Sequence, residues 1–250
     1  MSLSVIIIAH NEAQDIEDCL RSVDFADEII VVDSESTDET CTIAKKYTPN
    51  VHRVPWKGFG PQKNHALDLA TGDWVLSLDC DERVSQELRT QLPAAMQQPD
   101  AAAYMVRFRS SYCGRFMRFG DWGGERKLRI FRRDAGRFDD APVHEKIIID
   151  GQIKSIGGTI DHYSVRSRGD MQTKAAQYAD LGAQAAFDAG RTATSTSAML
   201  RGVFAFLRGY ILKGGIFDGY RGLTLAIDIA SSTHRKHASL AKLCKHKRDT

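Results

Sequence analysis

The chain has 250 residues, of which 42% are hydrophobic and 26% are charged, and its formal net charge is +2. This length suits one domain with an appendage or two small domains, and the composition is typical of a globular protein rather than a disordered chain. The five cysteines are odd in number and form no CxxC pair, which excludes a zinc or disulfide framework and favours a reducing compartment.

Apolar runs typical of buried strands recur through the first hundred residues. The predicted strands are 4–9, 28–33, 51–54 and 73–79, and a helical pattern follows each of them. This alternation predicts an α/β fold with a mostly parallel sheet and helices on both faces. The opening MSLSVIIIAHNE has no basic segment, so we predict a strand there and no signal peptide. No run reaches about 18 apolar residues, so no membrane-spanning helix is predicted.

Polar and proline residues mark where the helices should begin. Asn11 is predicted to cap the first helix, and Ser36 or Thr37 the second. Pro61 opens the third helix near its first turn. Ser85 is predicted to cap the fourth.

The rest of the chain has a different pattern. Residues 103–112, 126–133 and 144–156 alternate polar and apolar side chains and predict antiparallel additions to the sheet. Residues 170–187 predict a helix rich in alanine. Residues 198–243 are amphipathic and are interrupted by several glycines.

Three polar clusters follow predicted parallel strands, at residues 10–12, 33–36 and 79–82. In such sheets ligands bind beyond the carboxyl ends of the strands, so we expect the clusters to share one edge. The last cluster, Asp79-Cys80-Asp81-Glu82, places three acids in four residues. A divalent cation there would offset their repulsion and hold a diphosphate, whereas the alternative is that the acids only cap the next helix. On either interpretation Glu82 is taken as the start of that helix.

The chain has neither a P-loop lysine motif nor a GxGxxG, which leaves a metal as the natural partner of a diphosphate. Asp33 ends its strand and could accept the imide N–H of a uracil-type base, or could be a second capping acid. Lys63 and Asn64 could reach phosphate or ribose. The alternative for Lys63 is an ordinary solvated lysine.

Several motifs together resemble one family. VIIIAHNE, IIVVDSESTDET, GFGPQKNHAL and LSLDCDE are similar to segments of family 2 glycosyltransferases with the GT-A fold. Within that family, WGGERKLRIFRR and APVHEKIIIDG resemble the lipopolysaccharide-core β-glucosyltransferase group. The resemblance covers about residues 3–165. It implies inverting transfer of a sugar, usually from a UDP-sugar, with a divalent cation (Mg²⁺ or Mn²⁺).

The resemblance also assigns residues to a donor site. The expected donor contacts are Ala9, Asn11, Glu12, Asp33, Ser34, Lys63, Asn64, Asp79, Cys80 and Asp81. Ser34 departs from the family, which has a second Asp there. Asp81 is the expected direct metal ligand, with Asp79 and His162 as further ligands.

Inversion requires a base on the acceptor side, because the acceptor hydroxyl loses its proton as it attacks. The resemblance places this base on an acid after the sheet turns antiparallel, and we assign Glu145 to that role. Asp139 and Asp140 are the nearby competitors, and a surface Glu on a strand is the simpler interpretation of Glu145.

Acceptor contacts are expected from three residues. Trp122 would stack on a sugar ring, or would simply pack. Glu125 would bind hydroxyls, and His144 would position groups near the base.

The charge is unevenly distributed. Residues 191–250 carry a formal charge of +8, and residues 1–190 carry −6. The basic apolar segment suits an interfacial helix on an anionic leaflet, or a core-packing helix with a solvated basic edge. No recognition-helix motif accompanies the charge, so no nucleic-acid partner is expected.

These patterns give a domain and function hypothesis. We predict a GT-A domain at 1–165, with a nucleotide half at 1–100 and an acceptor half at 101–165, and a helical region at 166–250. The leading function is metal-dependent transfer of a hexose, glucose by resemblance, from a UDP-sugar to a lipid-linked lipopolysaccharide inner-core heptose. The expected location is cytoplasmic and peripheral, at the cytoplasmic face of the inner membrane.

Three alternatives stay open. The protein could transfer sugar to another cell-envelope glycan, could be a nucleotidyltransferase forming sugar nucleotides, or could be a non-catalytic binding module. The nucleotidyltransferase would need a glycine-rich basic loop near the N-terminus.

Overall fold

A computed structural model describes residues 1–140 and 145–249 of the chain. The strands are β1 Leu3–Ala9, β2 Glu28–Asp33, β3 Val51–Arg53, β4 Trp74–Asp79, β5 Glu82–Val84, β6 Ala103–Tyr112, β7 Arg115–Phe116, β8 Arg126–Arg132, β9 Gly136–Phe138, β10 Ile147–Ile149 and β11 Ile153–Val165. The α-helices are α1 Ile16–Ser22, α2 Thr40–Ala44, α3 Phe59–Leu69, α4 Gln86–Met96, α5 Arg168–Asp188, α6 Ser195–Leu207 and α7 Gly219–Asp249.

The chain forms two compact units. The first contains Met1–Phe108 and Glu125–His162, and the second contains Arg109–Gly124 and residues from 163 onwards. Both are discontinuous in sequence, so the chain leaves the first unit within β6 and returns to it just before β8. The division of the sequence into domains at residue 165 stays a prediction.

A mixed sheet organises the first unit. Within the described residues its order is β3-β2-β1-β4-β8-β6-β11-β5, and the pairing of β7 with the end of β6 belongs to the second unit. Strands β3, β2, β1 and β4 are parallel, whereas β8 joins β4 antiparallel. Buried aliphatic side chains cover both faces of the parallel strands. The predicted fold class, α/β with a parallel part, antiparallel additions and a helical C-terminal segment, is confirmed.

The strand register brings the polar clusters together. Ala9 pairs with Asp33 across β1 and β2, and Ile8 pairs with Asp79 across β1 and β4. The carboxyl ends of three strands therefore lie at one level of the sheet. This confirms the expectation of a shared polar edge.

Two predicted helix caps are wrong. Helix α1 begins at Ile16, and Asn11 lies in the left-handed region at φ 55°, which Asn tolerates. Its side-chain oxygen accepts from the Thr37 N–H at 2.8 Å. Helix α2 begins only at Thr40, because Ser36 is hydrogen-bonded to Asp33 instead. The two loops thus bond to each other rather than capping their helices.

The fourth predicted cap is correct. The Ser85 hydroxyl accepts a hydrogen bond from the Leu88 N–H at the start of α4. This bond satisfies one of the N–H groups that a helix start leaves unpaired.

Buried acids hold the second unit together. Asp228 in α7 accepts a forked pair of bonds from Arg168 and a further bond from Tyr112. Asp218 accepts the N–H groups of Arg118 and Phe119. Among the described residues, no helix has the length and apolar character needed to cross a bilayer.

Candidate active site

A carboxylate turn follows β4 at the polar edge. One oxygen of Asp79 lies 2.9 Å from the Lys63 amine, and the other lies 2.9 Å from the Arg129 guanidinium. Arg129 also contacts Glu82 at 2.5 Å. The Asp79 N–H donates to Glu82 at 3.1 Å, which closes the turn. Both carboxylates are therefore held in defined positions by partners from α3 and β8.

The protein itself balances this cluster. Burial raises the pKa of Asp79, but Lys63 and Arg129 outweigh it and hold the pKa well below its usual range. At Glu82 burial prevails over Arg129 and raises the pKa. The repulsion that suggested a bound cation is thus offset by two side chains. The interpretation of Glu82 as the start of a helix is wrong, because it lies in β5 and is only 1% exposed.

Lys63 joins this cluster to the predicted base. Its amine lies 2.7 Å from the Glu145 carboxylate as well as 2.9 Å from Asp79. Lys63 is 2% exposed, so it is not a solvated lysine. A buried ammonium needs paired charges, and these two carboxylates supply them. The predicted metal-side acid and the predicted base therefore share one cation.

Asp81 pairs with a histidine rather than with a lysine or arginine. Its carboxylate lies 3.2 Å from the Nε2 atom of His162, which β11 places opposite β5. Burial lowers the pKa of His162, but the hydrogen bond that its ring donates to the Asp81 carboxylate, together with the negative charge of Asp81, more than compensates, so the pKa is raised. Two of the three predicted metal ligands, Asp81 and His162, thus lie within contact distance of each other.

These residues fit a partial set of metal ligands. Mg²⁺ at nucleotide sites is typically bound by one or two protein carboxylates plus phosphate oxygens and water. Asp81 and His162 supply one oxygen and one nitrogen, whereas Asp79 would have to release an ion pair to take part. Within residues 1–140 and 145–249, no group of three His, Cys, Asp or Glu side chains could hold a metal. An ion here would need ligands from a diphosphate.

The charge of the linked groups agrees with that fit. They comprise four carboxylates and two permanent cations, namely Asp79, Asp81, Glu82, Glu145, Lys63 and Arg129. With all carboxyls ionised and His162 neutral, the formal charge is −2. One divalent cation would neutralise it.

Asp33 lies at the centre of a tight turn. The Ser36 N–H donates to one of its oxygens at 2.9 Å, and the Ser36 hydroxyl donates to the other. Asp33 is fully buried, with Arg53 at 4.0 Å. Ser34 accepts from the Gln62 amide at 2.9 Å. Contact of Asp33 with a base stays a prediction, and it would require this turn to open.

Other predicted donor residues have structural partners. The Asn64 amide makes two bonds with the Phe138 backbone, at 2.9 and 3.0 Å, and so fixes β9 against α3. The Cys80 thiol is buried and faces the Ile8 carbonyl. The Glu12 N–H donates to Thr40 at 2.8 Å. Their donor contacts stay predictions, as does that of Ala9, whose carbonyl accepts the Ser34 N–H at 2.8 Å.

The predicted acceptor residues are spread over both units. Trp122 belongs to the second unit, where its ring meets Tyr112 edge-on at 5.9 Å. Glu125 is half exposed and lies 3.4 Å from Lys127. His144 lies outside the described residues. Their acceptor roles stay predictions.

Asp139 and Asp140, the other candidates for the general base, differ from Glu145 in their contacts. The Asp139 carboxylate accepts the Lys146 N–H at 3.0 Å, while Asp140 is exposed. Glu145 is the acid that Lys63 connects to the carboxylate turn. The assignment of Glu145 rather than Asp139 or Asp140 as the base stays a prediction.

Comparison with known proteins identifies the family. The model described as "Glycosyl transferase family 2" matches residues 4–147, more than half of the chain. The chain belongs to glycosyltransferase family 2. An uncharacterized glycosyltransferase of Rickettsia felis is 30% identical to it over 87% of this chain and 83% of its own length. The lipopolysaccharide core biosynthesis glycosyltransferase LpsC of Rhizobium meliloti is 27% identical over 97% and 95%.

Solved structures give weaker matches to this glycosyltransferase. TarS of S. aureus is 20% identical with a TM-score of 0.46, over 72% of this chain and 39% of its own. Glucosyl-3-phosphoglycerate synthase of Mycobacterium tuberculosis, solved with Mn²⁺ and UDP-glucose, is 26% identical with a TM-score of 0.38, over 43% and 44%. The matches thus span less than half of each solved chain.

Sequence reasoning missed Arg129 in the candidate active site. It lies in RKLRIFRR, where five of eight residues are basic, so nothing marks it among its neighbours. It is nevertheless 8% exposed, and burial is what distinguishes it.

Replacing Lys63 with Met should separate positioning from donor binding. We expect kcat for sugar transfer to fall about ten- to a hundredfold, because Glu145 loses the partner that orients it. The donor KM should change less than about threefold. Lys63→Arg should recover part of the rate, and exposed Lys57→Met should behave as wild type. A donor KM that rises while kcat holds would instead assign Lys63 to the diphosphate.

Proposed function

We propose that this glycosyltransferase transfers a hexose, glucose by resemblance, from a UDP-sugar to a lipopolysaccharide inner-core heptose with inversion. The observation that carries the proposal is the Lys63 bridge. One ammonium at the carboxyl edge of the sheet contacts both Glu145, the proposed base, and Asp79 of the carboxylate turn. That edge is where α/β sheets bind ligands.

The donor side is formed by the carboxylate turn and its neighbours. Asp81 and His162 would hold a divalent cation, Mg²⁺ or Mn²⁺, together with the donor diphosphate. When bound, such an ion neutralises charge on the departing diphosphate. Asp33 and Ser34 are proposed to contact the nucleobase and the ribose of the donor. Lys63 and Arg129 keep Asp79 ionised and fixed in place.

The acceptor side requires one proton transfer. The acceptor oxygen forms a bond to the anomeric carbon while the bond from that carbon to the diphosphate breaks, and the configuration inverts. Glu145 takes the hydroxyl proton. The protein's main contribution is to align the two reacting atoms.

The acceptor class is supported by a relative's name rather than by geometry. LpsC is named for lipopolysaccharide core biosynthesis, and it covers nearly the whole chain. We propose a lipid-linked saccharide acceptor, with the protein in peripheral contact with the cytoplasmic face of an anionic membrane. The basic C-terminal region supports that contact.

UDP release from a panel of UDP-sugars tests the proposal. The purified protein would be given Mn²⁺ or Mg²⁺ and a delipidated inner-core oligosaccharide. We expect one UDP-hexose to be consumed with formation of a β-linked product. If no sugar nucleotide binds or turns over with either metal, the proposed function is wrong. Turnover only with a different glycan would support the proposed donor and show that the proposed acceptor is wrong.

A further inference from the structure

Large apolar side chains are exposed in the second unit, along α6 and in the segment that connects α6 to α7. Phe217 is 75% exposed, Leu212 73% and Tyr220 70%, which is unusual for residues of this size. Leu200, Phe204 and Ile211 are each more than half exposed. Soluble monomers seldom leave so many neighbouring apolar groups in water unless the surface has a partner. We call residues 199–220 the apolar tip.

The helical part of the apolar tip shows a single stripe. Leu200, Phe204, Leu207 and Ile211 follow each other at intervals of three or four residues, and all are exposed. Side chains at that spacing lie on one helix face. The opposite face of α6 is buried at Ala198, Gly202 and Ala205. The stripe is therefore the outward face of a packed helix.

Glycine packing holds the turn of the apolar tip in shape. A Cβ on Gly222 would lie 1.8 Å from the Gly215 carbonyl oxygen, and one on Gly215 would lie 2.7 Å from the Gly209 oxygen. Gly214 adopts φ 71°, which side-chain-bearing residues rarely do. The exposed aromatic and aliphatic groups are thus displayed on a closely packed corner.

The charge around the apolar tip is predominantly positive. Residues 195–221 contain four basic residues and a single acid, Asp218, which is 2% exposed. Arg201 is exposed, and Arg208 and Lys213 share the buried Asp121. Because two cations share that one carboxylate, the rim keeps a net positive charge, and an apolar surface with such a rim complements a bilayer with anionic headgroups.

We propose that the apolar tip inserts into the interfacial region of an anionic lipid bilayer. Leu212, Phe217 and Tyr220 would enter the boundary between headgroups and acyl chains. Arg201 and Arg221 would remain at the headgroups. This deepens the peripheral contact in the proposed function by assigning it a surface, and it does not depend on transfer activity.

Vesicle co-sedimentation tests the proposal. The full chain would be mixed with vesicles of phosphatidylglycerol and phosphatidylcholine, or of phosphatidylcholine alone. We expect binding to the anionic vesicles that weakens with salt. Leu212→Asp with Phe217→Asp should lower the partition coefficient about a hundredfold, since each loses the burial of a large side chain. Leu181→Asp, at a residue 63% exposed on α5, is the matched control and should bind as wild type.

Hydrogen exchange on the wild-type chain guards against a misfolded variant. Anionic vesicles should slow exchange of the amides at 208–220 and leave α5 unchanged. Equal vesicle binding by the double variant, or no binding by the wild type, overturns the proposal. If the wild type instead forms a dimer and binds no vesicles, and the double variant is monomeric, the apolar tip binds a second copy of the chain. That result also overturns the proposal. UDP-sugar binding by the double variant reports the donor site separately.

Discussion

Glu145→Gln is expected to abolish most sugar transfer while leaving donor binding intact. A general base contributes about 10²- to 10⁴-fold in rate, and the amide cannot accept the acceptor proton. The amide oxygen can still accept from Lys63, which lies 2.7 Å from the native carboxylate. Asp79 and Arg129 are untouched, so the donor edge should keep its shape. The measurement is kcat for transfer together with UDP affinity by calorimetry.

The two nearby acids provide the comparison for this variant. Asp139→Asn and Asp140→Asn should each retain transfer within about tenfold, because neither connects to Lys63 in the described structure. If kcat for transfer collapses in Asp140→Asn and is retained in Glu145→Gln, the base is Asp140 rather than Glu145. Equal loss of donor binding and transfer in Glu145→Gln would make Glu145 structural.

Arg129→Met is expected to destabilise the first unit by about 3–5 kcal/mol, the usual cost of removing one partner from a buried ion pair. Glu82 is 1% exposed and would lose its guanidinium partner. Asp79 would lose one of its two cationic partners and keep Lys63. Urea unfolding followed by circular dichroism measures the free energy of unfolding.

The pH dependence of this variant has a defined sign. Burial already raises the pKa of Glu82 with Arg129 present, and removing the cation raises it further. The folded state then binds a proton that the unfolded state releases, so stability falls as pH rises through this window. The loss of unfolding free energy in Arg129→Met, relative to wild type, should therefore be larger at pH 8 than at pH 5. Arg132→Met, which breaks an exposed pair with Asp134, should cost less than about 1 kcal/mol at both. Equal stability of the Arg129 and Arg132 variants would contradict the buried network.

The strands were the most predictable part of the fold. Continuous β-branched runs give β1 and β2 their positions, because a strand covered on both faces admits little else. Helix starts were less predictable. Asn11 and Ser36 have capping side chains, yet the Asn11 side chain accepts from the Thr37 N–H and the Ser36 hydroxyl accepts from the Asn11 N–H, so each bonds to the other loop instead. Those loops meet only once the sheet has formed, so no local pattern reveals the choice.

The site was predictable in position but not in its electrostatics. Asp79, Asp81 and Glu145 could be selected because strand ends and motif resemblance mark them. Their partners Lys63 and Arg129 come from α3 and β8, and their burial depends on long-range packing. A lysine on a helix reads as solvated until that packing is known.

UDP affinity measured with Mn²⁺ and with chelator, in wild type and in Asp81→Asn, tests the central claim most directly. Wild type should bind UDP at least about tenfold more tightly with Mn²⁺, because Asp81 and His162 would hold the ion against the diphosphate. Asp81→Asn should lose that difference while its UDP affinity in chelator stays unchanged. UDP binding that ignores Mn²⁺ in wild type, or a metal effect that survives in Asp81→Asn, would contradict the placement of the donor site at this turn.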